Sequence, residues 1–341
     1  MDLSCAEAAA GTAEPAAAAG SAASAGGGGG GPVVVRLGSW PTPLEPAPRL
    51  AERIGLRPAD LWIKRDDLTG LAGGGNKVRK LEHTAGAALA AGADTLVTTG
   101  GAQSNHARST AAAAARLGLR CLLVLAGEPP AVPAGNLVLD HLLGAELHWA
   151  GPADDTALEA RAAELVDALR AGGGSPYLVP FGGSGPIGSR GYLGCARELT
   201  EQAPELAHVV VSVGSGGTMA GLVAGLGAAR VLGVDSGAVA DPARRVREMV
   251  TGLGGSAEGL RLRGDQVGEG YGRITDAARR AMSDVARTEG LALDPVYTAK
   301  ACAGLTAAVR DGEIRPGQRT VFLHTGGLPG LFGHSYAAEL G

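Results

Sequence analysis

Three short segments hold the residue types that could do chemistry. A glycine run ends in a lysine, Gly73-Gly74-Gly75-Asn76-Lys77. After one strand-like stretch comes a polar turn, Gly100-Gly101-Ala102-Gln103-Ser104-Asn105-His106, and late in the chain a second glycine loop, Gly214-Ser215-Gly216-Gly217-Thr218. Lys77 offers an amine for a Schiff base. The 103–106 turn offers amides and a hydroxyl for an anionic substrate. The Gly214–Thr218 loop follows a largely apolar run, lets backbone amides converge on an anion and ends in a hydroxyl donor. An amine, an anion-binding turn and a phosphate cradle are the parts that a pyridoxal 5'-phosphate site requires.

Each segment also has a plainer use. The Gly214 loop could be a tight strand-to-helix turn that needs glycine for geometry alone, Ser104-Asn105 is an ordinary helix N-cap pair, and a single lysine is usually solvated. Lys77 is nonetheless oddly placed at a helix start, where the dipole disfavours a cation. The Gly214 loop is no nucleotide-type phosphate loop, because no Gly-Lys-Ser/Thr follows at the required spacing. What favours function is the recurrence of all three turns at strand-to-helix junctions, where an α/β sheet places its ligands.

The elements that must hold these turns are legible as an alternation. Leu61–Lys64, Thr95–Thr99, Cys121–Leu125, His208–Val213, Arg230–Asp235 and Thr320–His324 read as strands; Lys77–Ala91, Asn105–Leu117 and the Ala/Gly-rich segment after Gly214 read as helices. Strands alternating with helices imply an α/β fold with parallel-rich sheets flanked by helices. At 341 residues the chain exceeds the usual single-core size, so two domains or one large α/β domain are expected. Residues 1–32 are mostly Ala, Gly, Ser and Pro with almost no bulky apolar surface, and are expected to be a disordered tail.

Composition narrows the function classes. A net charge of −4 without a Lys/Arg run leaves no electrostatic footprint for nucleic acid or an anionic membrane, so the expected partner is a small molecule. The four cysteines, Cys5, Cys121, Cys195 and Cys302, stand far apart without metal-ligand or disulfide-framework spacing, so no metal site is expected. No apolar stretch is long enough to cross a bilayer. The N-terminus carries Asp2, Glu7 and Glu14 and lacks a basic or hydrophobic leader, and a cytoplasmic protein is expected.

From near Leu61 to the C-terminus the chain resembles the pyridoxal-phosphate enzymes of the tryptophan-synthase-β type (fold type II), and within them the D-cysteine desulfhydrase and 1-aminocyclopropane-1-carboxylate deaminase branch. The likeness rests on the 64–82 segment from Lys64-Arg65-Asp66-Asp67 through Asn76-Lys77 to Lys80-Leu81-Glu82, on Gln103-Ser104-Asn105-His106, Gly182-Gly183-Ser184, Gly270-Tyr271-Gly272 and Asp294-Pro295-Val296-Tyr297, and on His324-Thr325-Gly326-Gly327. The resemblance implies a large cofactor-binding domain of residues 33–77 and 186–341, a small domain of 78–185, and a homodimer. It makes Lys77 the Schiff-base lysine, Lys80 a phosphate contact beside the Gly214, Ser215, Gly216, Gly217 and Thr218 loop, and Asn105 the partner of the cofactor's phenolic oxygen. Ser104 becomes an active-site serine. Asn76, Gln103 and His106 join Ser104, Asn105 and Thr298 around the substrate, and Tyr271 and Tyr297 face it. Tyrosine is scarce here, with five in the chain, which makes mere packing a weaker account of that pair.

Two positions discriminate within the branch. The deaminases resembling this chain carry Glu directly after the Tyr297 position, where its carboxylate meets the pyridine nitrogen; this chain has Thr298, and Thr325 matches the desulfhydrases, whose threonine hydroxyl meets that nitrogen instead. A carboxylate keeps the ring protonated and strongly electron-withdrawing, as opening a cyclopropane demands, whereas expulsion of a β-thiolate needs less. The expected reaction is β-elimination, from D-cysteine to pyruvate, ammonia and sulfide. The alternatives are 1-aminocyclopropane-1-carboxylate deamination, or a lyase or racemase for another amino acid such as cysteate or an S-alkylcysteine. Gly185, Arg273-Ile274 and a shortened segment from Glu128 to Pro133 depart from the family pattern and bear on the substrate, not on the cofactor.

Overall fold

In the computed structural model, which describes residues 32–339, the expected alternation is present. The expectation for the N-terminal tail falls, apart from Pro32, outside the described residues. The strands are β1 (Leu44–Pro46), β2 (Leu61–Lys64), β3 (Thr95–Gly101), β4 (Arg120–Ala126), β5 (Glu146–Trp149), β6 (Pro176–Leu178), β7 (His208–Val213), β8 (Val231–Asp235), β9 (Arg261–Arg263) and β10 (Thr320–Leu323). They form a six-stranded sheet in the order β1-β2-β10-β7-β8-β9 and a four-stranded sheet in the order β5-β4-β3-β6. All pairings are parallel except that of the edge strand β1 with β2. The fold is that of a mixed α/β protein with parallel-rich sheets, as the alternation implies.

The central strands read as near-continuous apolar runs because both of their faces are covered. In the large sheet, Ile63, Val210, Leu232, Val234 and Phe322 point into one core with the helices Pro48–Ile54, Asp276–Glu289 and Thr298–Arg310. Their neighbours Val209, Val211, Val213, Val321 and Leu323 point into the other, with the helices Gly191–Gln202, Gly217–Leu226 and Pro242–Gly252. The two-residue period of a strand makes this division. The small sheet repeats it: Leu96, Leu123 and Leu125 pack with Val78, Leu81 and the alanines of the Asn105–Leu117 helix, whereas Val97, Leu122 and Val124 pack against Leu158, Ala162 and Val166. Among the described residues no helix is long and apolar enough to cross a membrane.

This packing matters for the site because it fixes the ends of β3, β7 and β10. The helix Asn105–Leu117 starts four residues after β3, the helix Gly217–Leu226 four after β7, and Thr325 stands two after β10.

Candidate active site

A cavity of about 270 Å³ is lined by residues of all three turns. The Gly214 loop forms one wall. It turns from β7 into the helix Gly217–Leu226, and Gly216 has φ +92°, a backbone region open to glycine but strained for other residues. Close packing holds the rest of the loop: a Cβ on Gly214 would stand 3.1 Å from Cε1 of Tyr297, and one on Gly217 only 2.6 Å from Oγ of Ser184. Ser184 Oγ accepts from the Gly217 amide (3.2 Å) and shares a hydrogen bond with Ser215 Oγ (2.7 Å).

Lys77 opens the helix Lys77–Ala90, and Lys80 lies one turn along it. Both ammonium groups reach the carbonyl oxygen of Gly182, each at 3.3 Å, and Lys80 also donates to Ser184 Oγ at 2.8 Å. A Cβ on Gly182 would touch Ser215 and stand 3.5 Å from Lys77 Nζ, so the amine and the glycine loop face one cavity. Neither lysine has a carboxylate partner among the described residues. Burial lowers the Lys77 amine from 10.5 to about 8. Lys80 lies well below the ordinary lysine value, through burial first and then repulsion from Lys77.

The segment before Lys77 is anchored at both sides. The Asn76 amide donates to the Thr325 carbonyl (3.0 Å), and its side-chain amide donates to Thr218 Oγ1 (3.0 Å). The buried Arg108 guanidinium holds the carbonyls of Ala72 and Gly74. The polar turn therefore positions Lys77 through its own helix, which carries Arg108 one turn beyond Asn105.

Sequence comparison identifies the family. Residues 35–326 match the family described as pyridoxal-phosphate dependent enzyme. The chain belongs to that family. It is 40% identical over 313 residues to a Pyrococcus abyssi protein provisionally named 1-aminocyclopropane-1-carboxylate deaminase, covering 87% of this chain and 92% of the relative. It is likewise 40% identical over 312 residues to a D-cysteine desulfhydrase of Klebsiella pneumoniae, covering 86% and 94%. A crystal structure described as an ACC deaminase homologue superposes with a TM-score of 0.82 at 38% identity, over 90% of this chain and 95% of the other. The cofactor of this family of fold type II enzymes is pyridoxal phosphate.

The residues present fit that cofactor. A buried amine (Lys80) and a half-buried one (Lys77), neither with a carboxylate partner among the described residues, beside a glycine loop at a helix N-terminus, suit a group that brings its own negative charge. Ser212, a hydroxyl inside a largely apolar strand, adds a buried donor on the cavity wall with no partner among the described residues. Lys80, Ser215, Gly216 and Thr218 would hold the phosphate, and Lys77 the aldehyde carbon.

The other expected site residues divide. Ser104, Asn105, His106, Tyr271, Tyr297 and Thr325 line the cavity with Asn76. Ser104 also caps its helix, its Oγ accepting from the Ala107 amide at 3.1 Å, so the plainer use applies beside any functional one. Asn105 Oδ1 accepts from Asn136 Nδ2 (2.9 Å). His106 bonds Thr98 Oγ1 (2.9 Å) and is held neutral by burial and by Lys77 and Lys80. The Tyr271 and Tyr297 hydroxyls meet at 2.5 Å, and burial foremost raises the Tyr297 pKa.

Gln103 and Thr298 stand outside the lining. The Gln103 amide is turned onto the Ala134 carbonyl and the Asn136 amide (3.0 and 2.9 Å), and Thr298 Oγ1 is engaged by the buried Asp294 carboxylate (2.7 Å) at the start of its helix. Conversely, Gly182 and Ser184 join the two lysines to the glycine loop although only their motif, not a role, was legible. Phe181, Ser212 and Asp155 also line the cavity. For Ser212 the one hydroxyl in Val-Val-Val-Ser-Val was a usable signal; Asp155, following the N-cap Asp154, carried none.

Proposed function

We propose that this enzyme catalyses β-elimination from D-cysteine, giving pyruvate, ammonia and hydrogen sulfide with uptake of one water. The observation that carries the reading is Thr325 on the cavity wall while the Thr298 hydroxyl is bonded to Asp294 at the start of its helix. The one carboxylate lining the cavity among the described residues, Asp155, belongs to a helix packed on the small sheet and not to the turn after β10. A hydroxyl in place of a carboxylate suits a substrate whose own leaving group accepts the electron pair.

When bound, the cofactor supplies an electron sink for the pair left by the α-proton. The protein supplies the rest. Lys77 Nζ, lowered to about 8, is neutral in an appreciable fraction near pH 7 and takes the α-proton. Lys80, Ser215, Gly216 and Thr218 would hold the phosphate, and Ser184 fixes Lys80 and the Gly217 amide in place beside it. Of the two tyrosine hydroxyls, one proton lies between the oxygens and the other is free to meet the departing sulfur.

Deamination of 1-aminocyclopropane-1-carboxylate is the second reading, favoured by the names of the Pyrococcus relative and the superposed structure. Purified enzyme incubated with D-cysteine, L-cysteine and 1-aminocyclopropane-1-carboxylate, with keto acid and sulfide measured, decides between them. Sulfide and pyruvate in equal amounts from D-cysteine are expected. Keto acid from the cyclopropane alone would overturn the assignment. In the same assays Thr325→Leu should lower turnover while cofactor binding persists, and unchanged kinetics would remove Thr325 from its place.

A further inference from the structure

Lys300 is completely buried, yet it forms no ion pair among the described residues. Its ammonium donates instead to three main-chain carbonyls, those of Ser236 (3.1 Å), Val267 (2.9 Å) and Gly270 (3.0 Å). All three of its N–H donors are thereby matched. Backbone carbonyl oxygens are also the ligands that cage a monovalent cation, and water would have to complete the shell of an ion at this position.

The three carbonyls belong to the segments that bring side chains to the cavity. Ser236 precedes Ala238, Gly270 precedes Tyr271, and Lys300 lies in the helix that begins directly after Tyr297; Ala238, Tyr271 and Tyr297 all line the cavity. The 236 and 267 segments also touch, since a Cβ on Gly237 would sit 2.8 Å from Val267 Cγ1 and 3.2 Å from the Tyr271 amide.

Besides Lys300, the loop carrying Tyr271 is held by His334 Nε2 on the Gly272 carbonyl (2.8 Å) and by the Arg263–Asp265 ion pair at its start (2.8 Å), and neither bonds the 267–270 carbonyls that precede Tyr271. Residues 264–273 contain no helix or strand, and the loop's internal turns close through long hydrogen bonds of 3.3 to 3.4 Å. Tyr271 is itself 52% exposed, so packing of its ring does not fix the loop. Its hydroxyl nonetheless has to meet that of Tyr297.

We propose that Lys300 is the positioning residue of the Tyr271–Tyr297 pair, acting as a built-in monovalent cation that draws the 264–273 loop onto the end of β8, and that potassium or ammonium ion can take its place when the side chain is shortened. The consequence for turnover rests on the tyrosines meeting substrate, as in the function proposed above; the consequence for loop order does not.

Lys300→Met keeps most of the side-chain volume without the charge, and Lys300→Ala leaves room for an ion. Both holoenzymes should retain the visible absorbance of bound cofactor. Amide hydrogen exchange across 264–273 should accelerate roughly tenfold or more while β7 and β10 stay protected, and kcat/KM should fall by roughly tenfold or more. In a Tyr271→Phe background the same substitution should cost much less, because the two act through one hydroxyl. Potassium or ammonium chloride should restore loop protection and kcat/KM to Lys300→Ala, whereas tetramethylammonium chloride, too large for the carbonyl ring, should not.

Normal exchange in both variants would overturn the proposal, as would full additivity with Tyr271→Phe. Loss of the folded state in both variants would do so too, since the lysine would then hold the fold and not the loop. If wild-type enzyme turns over no substrate of the panel, the functional reading fails, and the exchange and its rescue by potassium still decide the part played by Lys300.

Discussion

The sharpest quantitative consequence of the site concerns the Lys77 amine. Only the neutral amine attacks an aldehyde, and burial brings this group from 10.5 to about 8. At pH 7 an amine at about 8 is neutral in about a tenth of the molecules, against about three in ten thousand at 10.5, a gain of about 300-fold. Stripping the cofactor and following the return of visible absorbance when pyridoxal phosphate is added back, from pH 6 to 10, tests this directly. Below pH 8 the rate should rise about tenfold per pH unit, and above it the rate should level. A small primary amine with an ordinary pKa, run in the same buffers, corrects for the ionisation of the cofactor itself; the protein-to-amine rate ratio should fall above pH 8. Lys77→Ala should show no such absorbance at any pH. A protein rate that keeps climbing through pH 10 in parallel with the control would refute the claim that burial tunes this lysine.

Other perturbations test the neighbouring parts. Lys80→Met removes a charged hydrogen bond, a loss of about 1.5–3 kcal/mol, so the apparent Kd for pyridoxal phosphate should rise about 10- to 150-fold in titrations of the cofactor-free protein, with the bound form still coloured through Lys77. Gly216→Ala forces a side chain into φ +92° and within 2.8 Å of Met249 Cε; a cost of about 1–3 kcal/mol should appear in urea melts, together with weaker cofactor binding. Asp140 is buried with both carboxylate oxygens unpartnered among the described residues, and its pKa is raised to about 7, by burial first and against the pull of Arg108. Between the unfolded value near 3.8 and the folded value the native state holds more protons, so this group's contribution to stability falls as pH rises through that window. Asp140→Asn should therefore gain stability relative to wild type between pH 5 and pH 8 in paired urea melts, and a constant difference would contradict the raised pKa.

How much of this was legible in the sequence follows from where each signal resides. β7 and the helix Asn105–Leu117 were readable with their observed limits because a fully buried strand is a run of apolar residues and a capped helix announces its start. β1, β6 and β9 were not, being three residues each and drawing their order from the strands they pair with. Within the site, residue type was legible and direction was not. Gln103 and Ser104 are adjacent in one turn, yet the backbone between strand and helix turns one amide onto Ala134 and Asn136 and leaves the other residue on the cavity. Thr298 occupies a position suited to a cofactor contact, but a buried Asp294 four residues earlier engages its hydroxyl, a pairing set by the turn and not by either residue alone. Lys300 is the extreme case: in an alanine-rich helix a lysine reads as solvated, and only the convergence of loops from residues 236 and 267–270 shows that its charge is enclosed. Motifs thus disclose the groups that bind or react, whereas the groups that orient them take their meaning from distant carbonyls, which no side-chain pattern records.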